Sequence, residues 1–216
     1  MGWMDRIKAS LGARKDATPQ ALDPADILYS MPTVAGDALA FVPPDPSAAE
    51  DVPAFHEDDW CQLEFWPGAA LAAVQRELTA YKAFEGAHRL PQGWSALHVR
   101  HLVRPVLVPG PGAVQRLADP FATLPGPAPI LTTASQALGQ VVDGFTIRPS
   151  SDVLLHGLAN ASGVIALGAM LDGDDLQLST VFAELHAAFG LMLVDWRQQF
   201  VLVAVEPGGD FSIWRP

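Results

Sequence analysis

Fourteen of the chain's nineteen prolines fall in two stretches, seven within residues 13–55 and seven within residues 105–129. Proline has no backbone N–H, fixes its own φ and pushes the preceding residue towards extended geometry. Neither stretch is therefore suited to long helices or central strands. Regular structure is left to residues 1–12, 56–104 and 130–216, and the order of elements in those windows decides the fold.

The first proline-rich stretch also holds most of the charge. The chain carries a formal −11, but residues 1–15 are locally +3, residues 16–59 contain ten acids and no Lys or Arg, and the remainder is −4. The same stretch contains Ile27, Leu28, Tyr29, Met31, Leu39, Phe41 and Val42, apolar grips that a disordered linker would lack. The expectation is an extended acidic arm over 13–55 that packs on a folded body, with a freely floating arm as the alternative. The acidity argues against nucleic acid as a partner. A composition half hydrophobic and 17% charged excludes a disordered chain, and 216 residues can bury a sizeable core. The single Cys61 excludes an intrachain disulfide framework and a cysteine-based zinc knuckle.

Residues 2–12 place Trp3, Ile7 and Leu11 four apart, flanked by Arg6 and Lys8, which reads as a basic amphipathic helix over 1–12. So short a helix must lean on something. Its own domain, a partner's groove and an anionic membrane surface all fit. The stretch lacks the apolar run of a secretory signal, so a cytoplasmic location is expected. Ten arginines against three lysines, with abundant Ala, Gly and Pro, point to a bacterial source.

In the body, residues 60–66 alternate like a strand, and Pro67 suits the first turn of a helix. Leu71, Val74, Leu78, Tyr81 and Phe84 give that helix its apolar stripe over 68–86, with Gly86 as the stop. A strand over 94–104 would complete a βαβ crossover with parallel pairing. A short helical piece near 112–118 interrupts the second proline-rich stretch. The apolar run 153–171 is long enough to suggest a membrane span. Gly157, Gly163, Gly168, His156 and Asn160 interrupt it, so the expectation is a buried helix over 152–161, capped by Ser151 and Asp152, followed by a second buried element. Residues 180–189 read as a helix stopped by Gly190. Residues 191–196, 200–206 and the FSIWR run after a PGGD turn read as a three-stranded antiparallel meander whose first two strands are covered on both faces. The fold class is α+β: a mixed or antiparallel sheet packed by about three to five helices, preceded by the arm. The body, 56–216, is read as one unit, divisible into halves 56–104 and 130–216 joined by 105–129.

The residues that carry chemistry are sparse. His56-Glu57-Asp58-Asp59 is the densest ligand-type cluster, but four consecutive side chains on a loop do not converge on one ion. His98 and His101 lie three apart on an expected strand and face opposite ways. No metal and no cofactor is expected. Cys61, His156 and Asn160 are the residue types of a thiol protease, yet Cys61 sits in a strand pattern, away from any helix N-terminus, and reads as buried and structural. No phosphate loop, nucleophile elbow, zincin or dinucleotide fingerprint is present. His156 and Asn160, four apart, share a face of the expected helix, as a hydrogen-bonded core pair or as pocket-lining residues. Asp59-Trp60-Cys61-Gln62 and Asp195-Trp196-Arg197-Gln198 share the pattern D-W-x-Q. Their flanking elements differ in order, so the repeat is read as coincidence.

The most informative feature is a basic strip. From Gly86 to Ala118 there are Arg89, Arg100, Arg104, Arg116, three histidines and no acid. On a strand, His98, Arg100 and Arg104 share one face, and Leu97, Val99 and Val103 the other. The apolar face would pack and the basic ladder would point outward. It would bind an anionic ligand or partner, receive the acidic arm of the same chain, or carry scattered charge with no role.

The function expected from these features is that of a non-enzymatic accessory or assembly protein. It would contact another protein through the N-terminal helix (Trp3, Ile7), the arm, and the strip with Arg89, His98, Arg100 and Arg104, with Asn160 as a further binding candidate. One alternative is a hydrolase or transferase acting on a small anionic substrate held by Arg100, Arg104 and His98, with His156 as general base. The other is a peripheral membrane protein anchored by residues 2–12.

Overall fold

The computed structural model describes residues 28–44 and 52–216. Residues 28–44 supply two short strands, β1 (Thr33–Ala35) and β2 (Phe41–Val42). There follow β3 (Ala54–His56), β4 (Leu63–Pro67), helix α1 (Leu71–His88), β5 (Arg89–Leu90), β6 (Gly93–Trp94), β7 (His98–Arg100) and β8 (Val108–Pro109). Next come α2 (Ala113–Ala118), β9 (Ile130–Thr132), β10 (Ala137–Val141), β11 (Gly144–Ile147), β12 (Val153–Asn160) and β13 (Gly163–Leu171). The chain ends with α3 (Asp175–Phe189), β14 (Leu191–Asp195), β15 (Phe200–Val205) and β16 (Phe211–Trp214).

The main sheet runs β11-β12-β13-β4-β14-β15-β16, with β8 alongside β13, and every pair in it is antiparallel. A four-stranded sheet, β2-β10-β9-β3, and two ribbons, β1–β7 and β5–β6, accompany it. Among the described residues only β1–β7 and β3–β9 pair in parallel. The result is a mixed α/β fold with mostly antiparallel strands.

β14, β15 and β16 pair in chain order as antiparallel neighbours, and the burial of β14 explains its composition. Leu191 and Leu193 of β14 pack with Phe65, Phe182 and Leu185 on the α3 side of the sheet. Met192 and Val194 pack with Trp66, Leu78 and Tyr81 on the α1 side. A strand covered on both faces needs apolar side chains at every position. Helix α3 begins at Asp175 because Asp174 caps it, its carboxylate accepting from the Leu176 N–H at 2.9 Å. It ends where Gly190 turns left-handed, at φ 66°.

Several expectations are corrected. The apolar run 153–171 is not a buried helix but the β12–β13 hairpin. Val153 and Leu155 enter the large core while Leu154 enters a second one with Phe55, Trp60 and Leu131. Burial on both faces removed the alternation that would have marked a strand. Asp152 does not cap a helix here; it accepts from the Asp174 N–H at 3.2 Å and so braces the start of α3. The βαβ crossover is absent as well. β4 lies between β13 and β14, antiparallel to both, and β7 leaves the main sheet to pair with β1. The expected strand 94–104 is reduced to β6 and β7, and residues 101–106 are irregular. Pro67 both closes β4 and caps the 3-10 turn Gly68–Ala70 that leads into α1, and α1 runs past Gly86 to His88.

The described part of the acidic arm is woven into the body. β1 pairs with β7 and β2 with β10. The expected helix 1–12, with Trp3 and Ile7, lies outside the described residues. Among the described residues no helix is long and apolar enough to cross a membrane.

Candidate functional site

The two D-W-x-Q segments meet. Asp59–Gln62 leads directly into β4, and Asp195–Gln198 leaves β14, its antiparallel neighbour. Asp195 stands opposite Leu63, and the Trp196 N–H donates to the Gln62 carbonyl at 3.0 Å. The two copies therefore occupy the same end of one strand pair, in opposite chain directions. That arrangement reflects convergence in space and explains why their flanks do not align.

Both indoles then serve the same purpose. Trp60 Nε1 donates to Asp37 Oδ2 at 3.0 Å, and Trp196 Nε1 donates to Glu64 Oε2 at 2.8 Å. Those two carboxylates hold Arg104 between them: its Nε and Nη2 donate to Asp37 and its Nη1 to Glu64. Arg104 also lies over the Trp66 ring at 5.8 Å, and Arg100 over the Trp196 ring at 4.7 Å. Arg100 donates to Thr33 Oγ1 at 3.0 Å and to the Cys61 carbonyl at 2.9 Å. Two guanidinium groups face two carboxylates, so the buried cluster is neutral as a whole.

The electrostatics follow from that packing. Burial alone would raise the Asp37 carboxyl, but the hydrogen bond and charge of Arg104 outweigh it and hold the group below the usual carboxylate range. For Arg104, burial opposes the charge, and Glu64 and Asp37 together raise its pKa regardless. Arg100, more deeply buried, is lowered by desolvation against the pull of Glu64, and a guanidinium stays charged even so.

Cys61 sits behind this cluster in a left-handed turn, φ 52°, fully buried. A buried turn needs partners for its backbone. Its carbonyl has Arg100, and its N–H donates to His156 Nε2 at 3.3 Å. His156 is itself wholly buried, with the rings of Phe55 and Trp60 each 4.9 Å away. It fits because β13 offers Gly168 opposite; a Cβ there would stand 2.5 Å from His156 Nε2. Burial, then the charge of Arg104, pushes the imidazole down to about 3. Burial, then Glu64, pushes the Cys61 thiol up. This is a neutral, structural Cys–His contact.

Of the clefts beside the cluster, which include one of about 460 Å³ lined by Asp37 and Trp60 among others, two are lined by its arginines or by both D-W-x-Q segments. One, of about 240 Å³, is lined by Asp37, Glu64, Trp66, Arg100, His101 and Arg104 among others. The other, of about 310 Å³, is lined by the Asp and Gln of both D-W-x-Q copies together with Arg197, which is ion-paired to Asp59.

The sequence-predicted site residues are thus only partly gathered. Arg100 and Arg104 share the first cleft; His98 and His156 do not line it. His98 turns to α1, where Nε2 meets Glu77 at 2.8 Å, and it stacks on Tyr81 at 5.4 Å. Arg89 is exposed, paired with Glu85 and set over Trp94 at 6.0 Å. Asn160 ends β12 at the exposed hairpin tip, where Oδ1 accepts from the Ser162 N–H at 2.8 Å, so it does not share a site with His156. His156 is wholly buried beside Cys61 and lines neither of these two clefts.

The direction of the basic strip is also corrected. Arg100 is 4% exposed and Arg104 mostly buried, whereas Val99 is 38% and Val103 92% exposed. The charges point in and the valines out. Of the three readings for the strip, reception of the acidic arm matches the geometry, through Asp37. Asp37, Glu64, Trp60 and Trp196 are residues that the sequence reading does not single out, and the repeated D-W-x-Q is a signal that holds two of the four, Trp60 and Trp196. No family model, curated protein or solved structure matches this chain.

Proposed function

We propose that the protein is a non-enzymatic interaction or assembly protein. It binds another protein through the outward face of the ribbon formed by residues 28–36 and 89–106. The observation that supports this reading is the inverted polarity of that ribbon. Arg100 and Arg104 are turned inside beside acids of the same chain, while Leu28, Tyr29, Leu90, Val99, Val103 and Val106 stand exposed. Burying a valine fully is worth about 1.5–3 kcal/mol, and several exposed apolar side chains along one ribbon suit a protein interface. The Trp3–Ile7 pair, outside the described residues, would add anchors of the same kind.

The test is recovery of a stoichiometric partner by the tagged full chain from its native cytosol, followed by the Val99→Asp/Val103→Asp double variant. The variant should keep the wild-type circular dichroism and lose the partner at least tenfold. Retention of the same partner at the same level would remove this reading.

A further inference from the structure

Residues 32–37 lie in the body as a ligand lies in a receptor. β1 adds to β7 as a three-residue parallel strand, with Gly36 N–H donating to the Arg100 carbonyl and His98 N–H to the Pro32 carbonyl, both at 2.9 Å. The side-chain hydrogen bonds are one-sided. Gln62 Nε2 donates to the Thr33 carbonyl at 2.9 Å, Arg100 to Thr33 Oγ1, Trp60 Nε1 to Asp37, and Arg104 to both Asp37 oxygens. In these side-chain bonds every donor belongs to the body and every acceptor to the segment, while the Gly36 backbone N–H donates the other way. The groove thus offers guanidinium, indole and amide donors to a segment whose carbonyl and carboxylate can only accept, the chemistry by which a groove with two arginines would read an acidic peptide.

The groove also selects shape. A Cβ on Gly36 would stand 2.6 Å from the Arg100 carbonyl and 2.7 Å from the His101 ring, so this position takes glycine alone. Thr33 is completely buried. The occupant is therefore specified at three positions: Thr33, Gly36 and Asp37.

We propose that the groove between β7 and the Trp60–Gln62 turn is a recognition site for extended acidic peptide segments of pattern Thr-x-x-Gly-Asp, and that residues 32–37 fill it in cis as a displaceable internal ligand. A tethered segment competes at an effective concentration of about millimolar, so the intact chain masks the groove. A partner carrying the same pattern gains access when the segment leaves. This inference does not use the outward valines and stands or falls apart from them.

The experiment uses the full-length chain and a fluorescently labelled peptide of residues 28–44. Gly36→Val expels the cis segment through the Arg100 carbonyl while leaving every groove residue in place. By fluorescence anisotropy the peptide should bind the Gly36→Val chain at least about tenfold more tightly than the wild type. A peptide carrying Asp37→Asn should bind that chain at least about tenfold more weakly, through loss of the charge-assisted Arg104 bonds. Equal binding to both chains, no binding to either, or indifference to Asp37→Asn would overturn the proposal. So would a Gly36→Val chain that does not fold, because residues 32–37 would then be part of the core. On the wild-type chain, hydrogen exchange gives a second reading. The Gly36 and His98 amides should exchange at least about tenfold faster than those of β12 and β13, by local opening; equal rates would mean that the segment leaves only when the whole protein unfolds.

Discussion

Acid should unsettle this protein first at His156. Its burial, reinforced by Arg104, holds the imidazole at about 3, against about 6.5 in an unfolded chain. Between those values the unfolded chain binds a proton that the folded chain refuses. Stability from this group is therefore complete above about pH 6.5 and declines as pH falls, by up to about 1.4 kcal/mol per pH unit. At about pH 4.5 the loss is about 3 kcal/mol, a large part of the roughly 5–15 kcal/mol that holds a domain together. His156→Leu removes the titration. It also leaves the Cys61 N–H without the acceptor it has at 3.3 Å, at a cost of about 1–3 kcal/mol that does not depend on pH. The wild type should thus be the more stable at neutral pH, and the two stability curves should meet about one to two units below pH 6.5. Urea unfolding followed by tryptophan fluorescence, from about pH 7 to about pH 4.5 at fixed ionic strength, measures both curves. Curves that stay parallel over that range would show that His156 is not held neutral by burial, and the reasoning would fail.

Three further outcomes follow from the same cluster. Arg104→Met leaves Asp37 and Glu64 buried without their shared cation and should cost about 3–5 kcal/mol in chemical denaturation, and adding Asp37→Asn with Glu64→Gln should restore at least about half of it. Asp37, held below the usual carboxylate range, contributes stability that is present above about pH 4 and lost as pH falls through its lowered folded value, so Asp37→Asn should flatten the acid limb only below about pH 4. The Cys61 thiol, fully buried with its pKa raised, should stay inert to a disulfide reagent in native buffer and react once denaturant is added; rapid labelling of the native protein would contradict the placement of that turn.

What could be read in the chain beforehand divides along physical lines. The meander and α1 were legible because a turn or an apolar stripe marks each locally, as with the PGGD turn after β15 or Leu71, Val74 and Leu78 on one side of α1. The β12–β13 hairpin was not, because two cores claim its two faces and no period survives. The basic strip shows a subtler limit. Alternation correctly placed Arg100 with Arg104 and Val99 with Val103, yet nothing local says which side a body covers. Here Asp37 and Glu64, 67 and 40 positions from Arg104, decided it. The repeated D-W-x-Q was visible, but its meaning lay in β4 and β14 running antiparallel, which is a tertiary fact.

The inserted β1 segment also sets an order of events. Thr33 and Asp37 leave the ribosome early, but Arg100 and Arg104, which hold them, each lie 67 positions downstream. β2 waits longer still, for β10. Closing such long loops is slower than closing a hairpin such as β12–β13 or β14–β15. The first described strand to be synthesised is therefore among the last to dock, and until it does Trp60, Gln62, Arg100 and Arg104 stand open. A nascent or partly opened chain would present to its surroundings the donors that the finished protein keeps for itself.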